Sequence, residues 1–146
     1  MTFSGPVGRA VPGWFTRQLV WSALLICPAV AVAQQDYECF VERLESPSPD
    51  TLLALIQTRK AYVGQKFTVD RATGRMSGAL RNSFDAKPQV IDQGSKDSGF
   101  KVVTTEKAHV GSIVFTLVIN EFVSASGKPF VFLRDTDVFF GSCVHV

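Results

Sequence analysis

The chain changes hydrophobic rhythm twice. Residues 19–26 form an almost unbroken apolar run, Leu-Val-Trp-Ser-Ala-Leu-Leu-Ile, which continues past Pro28 into Ala-Val-Ala-Val-Ala. Residues 37–44 then alternate apolar and polar side chains over a short stretch, which predicts a strand. Ser46-Pro47-Ser48-Pro49 breaks that pattern. Ser48 suits an N-cap, Pro49 the first helical position and Asp50 the positive end of a helix. Leu52, Leu53, Leu55 and Ile56 follow at helical spacing, Arg59 and Lys60 fall where cations suit a C-terminus, and Gly64 supplies a stop. A helix is expected over 49–61.

From Lys66 onward the rhythm is that of strands. Residues 67–70 and 75–80 flank Arg71-Ala72-Thr73-Gly74, where Gly74 can take the left-handed conformation of a tight hairpin. Further strands are expected over 88–91, 100–107, 113–123, 129–134 and 138–146, separated by polar turns at 92–99, 124–128 and 135–137. The run 113–123 is the longest and is apolar on both alternating sets, which predicts a central strand covered on both faces. The sum is a mainly β domain: an antiparallel barrel-like or roll sheet of about seven to eight strands, with one N-terminal helix plugging an end or covering an edge.

The first apolar run has a separate meaning. Arg9 and Arg17 precede it without any acidic residue, and Ala31-Val32-Ala33 gives the small-x-small pattern that signal peptidase accepts. The stretch 19–33 is shorter than the roughly 20 residues that span a bilayer, and Pro28 interrupts it. Cys27 follows Ile26, which is too large for a lipoprotein signal. Residues 1–33 therefore read as a cleaved signal peptide and 34–146 as a single domain of a secreted or periplasmic protein.

Removing the leader alters the composition. The whole chain carries 15 basic and 13 acidic residues; without Arg9 and Arg17 the balance is 13 against 13. With 46% apolar and 19% charged residues it is neither a disordered chain nor a polyelectrolyte, and nothing marks the basic face of a nucleic-acid binder. Cys39 and Cys143 remain near the two ends of the mature chain. In an oxidising compartment they are expected to form a disulfide closing a loop of about 105 residues, for which chain entropy allows about 4.7 kcal/mol.

Candidate chemistry is sparse. His109 and His145 are the only imidazoles, both expected at the surface, and no Gly-x-Ser-x-Gly elbow occurs. Asp135 and Asp137 have the spacing to share a proton or hold a cation, but a turn held by aspartate side chains explains them more simply. Arg71, Arg75 and Arg81 gather around one hairpin and could form a cationic patch, with solvated hairpin charges as the plainer account. The unusual feature is six phenylalanines between residues 115 and 140: Phe115, Phe122, Phe130, Phe132, Phe139 and Phe140. On paired strands they make a core first, and in a small barrel they can line an apolar pocket.

These features point to an exported, non-enzymatic binding or accessory protein of the cell envelope, without cofactor or metal. Its expected partner is a small apolar molecule or another envelope protein. The alternatives are a structural or protein-interaction module, and an enzyme or enzyme inhibitor acting through exposed loops that hold His109, Asp135 and Asp137.

Overall fold

In the computed structural model the described residues are 1–2, 35–47 and 52–146. Residues 3–33 of the expected leader and the Ser48-Pro49-Asp50 start of the expected helix lie outside them. The first strand, β1 (Tyr37–Glu45), buries Tyr37, Cys39 and Val41 in alternation and then Leu44. Its period breaks because a register shift between Val41 and Arg43 inserts a bulge against the last strand, β8 (Asp137–His145). At the bulge Gly141 lies opposite Val41. A side chain there would strike the Phe40 carbonyl oxygen and come 2.8 Å from a ring carbon of Phe130.

Between β1 and β8 the chain adds α1 (Leu52–Tyr62), β2 (Lys66–Val69), β3 (Met76–Gly78), β4 (Gln89–Ser95), β5 (Ser98–Lys107), β6 (Ser112–Ile119) and β7 (Lys128–Arg134). The eight strands form one antiparallel sheet in the order β3-β2-β1-β8-β7-β6-β5-β4, which curls into a half-barrel with α1 packed on it. The expected mainly β architecture is present. First and last strands are neighbours, so Cys39 faces Cys143 in register and the two form the disulfide across a sequence separation of 104.

Three expectations need correction. The polar stretch 92–99 is not a loop: β4 runs on to Ser95 and β5 begins at Ser98, leaving a two-residue turn, because backbone pairing across the hairpin does not require apolar side chains. The apolar run 113–123 is not one covered central strand. β6 ends at Ile119, β5 is longer, and β6 lies third from the edge of the sheet. Phe115, Leu117 and Ile119 face the core, while Val114 on the other face is 40% exposed. The strand stops because residues 120–123 turn back: Asn120 N–H donates to Pro129 O, and Lys128 Nζ caps the carbonyls of Glu121 and Val123. The helix also differs. It ends as expected, with Gly64 at φ 83 donating its N–H to Val41 O, but it packs through Tyr62 and Val63. Leu53 and Ile56 stay exposed.

The core is aromatic. Phe67 meets Phe130 edge-on at 5.2 Å, Phe132 lies between Phe115 and Phe139, and Tyr62 packs edge-on against Phe139 at 5.4 Å. Each fully buried phenylalanine contributes about 1.5–3 kcal/mol relative to exposure. The curl of the sheet brings the β2–β3 turn against β4 and β5. A Cβ on Gly74, which has φ 72, would lie 2.7 Å from a Val102 methyl. Arg71 fastens this approach, donating from Nε and Nη2 to Gln93 O at 3.1 and 2.7 Å.

Buried Asn82 substitutes for a missing strand beside β3. Its Oδ1 accepts from Met76 N–H at 3.1 Å and its Nδ2 donates to Gly74 O at 2.8 Å. Asn82→Ala leaves both backbone groups without these partners in a buried site and is expected to cost about 2 kcal/mol. Denaturant unfolding monitored by circular dichroism measures it; a loss below about 0.5 kcal/mol would mean that water replaces the amide there.

Candidate functional site

The two-residue turn between β7 and β8, the start of β6, the end of α1 and the 79–84 loop converge at one end of the half-barrel. Between them lies a cleft of about 320 Å³. Its apolar wall is Phe115 and Ile113, with Phe84 at the rim, 71% exposed. Glu106 positions that rim by accepting the backbone N–H groups of Phe84 and Asp85 at 3.0 and 3.1 Å. Its polar side is formed by Tyr62, Arg81, Arg134, Asp135 and Asp137.

Arg134 organises the polar side. It ends β7 directly opposite Asp137, and the turn between them is formed by Asp135 and Thr136. Asp135 takes φ 56, which aspartate tolerates better than most residues, and its N–H donates to Val114 O. The guanidinium of Arg134 donates to Tyr62 Oη and to Asp137 Oδ2, each at 3.0 Å. It also lies 5.0 Å from the Tyr62 ring centre and 5.2 Å from that of Phe139. Burial works against this charge, but the Tyr62 and Asp137 partners more than offset it and hold the guanidinium pKa above its ordinary value. The arrangement is a fixed cation and a phenol beside an apolar wall, able to orient a polar group on an otherwise apolar molecule.

The six phenylalanines separate. Phe115 lines the cleft; Phe130, Phe132 and Phe139 lie in the core. Phe122 is 51% exposed in the turn after β6, and Phe140 faces the outer side of the sheet, under the Arg43 guanidinium at 4.2 Å. Asp135 and Asp137 both reach the cleft, though Asp137 is engaged by Arg134. His109 is exposed in the β5–β6 loop. The three hairpin arginines also part company: Arg71 fastens β4, Arg81 lines the cleft, and Arg75 belongs to a different groove. Sequence reasoning missed Tyr62, Ile113, Phe84 and Arg134. Only Arg134 left a signal, an arginine and an aspartate flanking a two-residue turn.

A second polar group lies at the opposite end of the sheet. His145 was expected at the surface, yet its Nε2 sits 3.2 Å from the Glu121 carboxylate, whose side chain is 9% exposed. The His145 ring centre is 4.8 Å from that of Tyr37. Burial, reinforced by Glu121, pushes the Tyr37 phenol well above its usual pKa, with Arg71 acting the other way. The group joins the ends of β1 and β8 to the β6–β7 turn.

Comparison of the chain with protein-family models, with curated proteins and with solved structures returns no match.

Proposed function

We propose that the chain is an exported, non-enzymatic binding protein that holds a small, largely apolar molecule in the Phe115–Arg134 cleft. The supporting observation is the cleft itself: Phe115, Ile113 and Phe84 give an apolar wall, and the Arg134–Tyr62–Asp137 group gives a fixed polar anchor. The Cys39–Cys143 disulfide is consistent with an extracellular or periplasmic location. In this reading residues 1–33 direct export and are removed. Trp14 and Trp21 leave with them, so the remaining protein has no indole emission.

An apolar fluorescent dye can therefore be titrated against a quiet background, after mass spectrometry has placed the N-terminus at residue 34 and registered the loss of two hydrogens. One-site saturable binding, displaced by a fatty acid or a comparable small hydrophobe, is the expected result. Phe84→Ala removes a rim side chain that is mostly solvent-exposed and should weaken that binding about threefold to tenfold without changing the unfolding midpoint. No binding by a cooperatively folded protein, or binding indifferent to Phe84→Ala, would eliminate the carrier reading at this cleft.

A protein-interaction module is the second reading, and the outer face of the sheet favours it. Phe40, Val131 and Val144 are 42%, 38% and 41% exposed there, on β1, β7 and β8. Val131→Lys would then abolish a partner contact while leaving dye binding in the cleft intact.

A further inference from the structure

The half-barrel is open between its terminal strands β3 and β4, and the seam holds a groove of about 630 Å³. Thr73 and Arg75 of the β2–β3 turn bound one side; Lys87, Gln89, Val90 and Gln93 bound the other. None of these residues lines the Phe115–Arg134 cleft. We propose that this seam takes an extended acidic peptide segment, added to the sheet as a strand along β4.

Three observations converge on that occupant. The first is the edge. β4 pairs with β5 on one side only, and among the described residues no backbone group along its other side has a backbone partner. An open edge offers N–H and C=O groups that an extended chain can satisfy. Arg71 occupies the carbonyls of Gln93 and Gly94, so the free length runs from Gln89 toward Gln93. At about 3.3 Å per residue that length matches a segment of about four or five residues.

The second observation is charge. Arg75 and Lys87 are exposed, and among the described residues neither forms an ion pair and no carboxylate lines the groove. Of the nearby acids, Asp92 on β4 pairs with Lys101 at 3.1 Å, while Asp36 and Asp70 accept the backbone N–H groups of Arg71 and Thr73 at 3.0 and 2.9 Å. Two cations without an ion-pair partner beside an open edge select carboxylates on the incoming strand. The third observation is the floor. Gly74 closes on Val90 and Val102 so tightly that a Cβ would lie 3.1 Å from a Val90 methyl. The groove is thus a surface channel with Val90 at its base, suited to a strand with an apolar side chain between its acidic ones.

The test uses the oxidised protein and the blocked pentapeptide Glu-Val-Glu-Val-Glu, followed by calorimetry and amide exchange. Saturable binding is expected, weakened as salt rises, with exchange slowed at Gln89–Gln93. Lys-Val-Lys-Val-Lys should not bind. Arg75→Glu with Lys87→Glu should lower affinity for the acidic peptide at least about tenfold, and Arg75→Gln with Lys87→Gln provides the milder check if charge reversal disturbs folding. Failure of the acidic peptide to bind, equal binding of the basic one, or unchanged exchange in β4 would overturn the proposal. So would binding of a sulfated oligosaccharide with none of the peptide. Dye binding in the cleft is read separately and is expected to survive both double variants.

Discussion

Gly141→Ala should destabilise the protein by at least about 3 kcal/mol, more than an ordinary overpacked core position. The cause is a backbone approach, not a side-chain fit. At the β1–β8 bulge the added methyl would occupy the place of the Phe40 carbonyl oxygen and press on the Phe130 ring at 2.8 Å. A flexible side chain could move aside, but a strand carbonyl cannot without breaking its own pairing. The bulge joins the two strands that hold the disulfide and the end of β8 that carries His145, so the damage reaches the centre of the sheet. Chemical denaturation with the disulfide intact in both proteins is the appropriate measurement. A midpoint within experimental scatter of the unsubstituted protein would show that β1 can slide out of the bulge at little cost.

Removing the disulfide is the second large effect. Cys39→Ala with Cys143→Ala should reduce stability by about 2–5 kcal/mol, toward the upper end because the bridged residues are 104 apart in sequence. Both cysteines are fully buried, so alanine also leaves two small voids in the core. The unfolding slope with denaturant should rise slightly, since a chain without the cross-link exposes more surface when it unfolds. Reducing agent on the unsubstituted protein should reproduce the entropic part without the voids. If the double variant unfolded at the same denaturant concentration, the β1–β8 pairing alone would be holding the chain ends together.

The strands and the bridge were legible because both depend on local or compositional rules. Alternation locates β1, β5 and β7, Gly64 and Gly74 occupy positions that need positive φ, and Cys39 and Cys143, the two cysteines outside the expected leader, have one way to pair. What the sequence did not reveal comes from long-range assembly. Tyr62 lies 72 residues from the Arg134 guanidinium it accepts from, and Glu121 lies 24 from His145. No periodicity encodes such meetings. Phe122 was misread for a related reason: its apolar neighbours look like strand, while the turn is set by Lys128 capping carbonyls from outside the run. Phe40 and Phe140 show the limit of counting aromatics, because alternation puts them on the opposite face from Phe139.

The neighbouring position of first and last strands has a consequence in time. A chain emerging from its N-terminus can form the hairpins β4–β5, β5–β6 and β6–β7 as each becomes available. The β1 edge, however, has no partner on its inner side until residues 137–145 have arrived. Until then the growing chain holds two further unsatisfied edges, β1 and β7, each carrying buried-type side chains, and Cys39 has no mate. Completion of the sheet and closure of the bridge therefore both wait for β8. A chain without β8 is not a slightly smaller version of this protein but two sheet fragments with exposed edges.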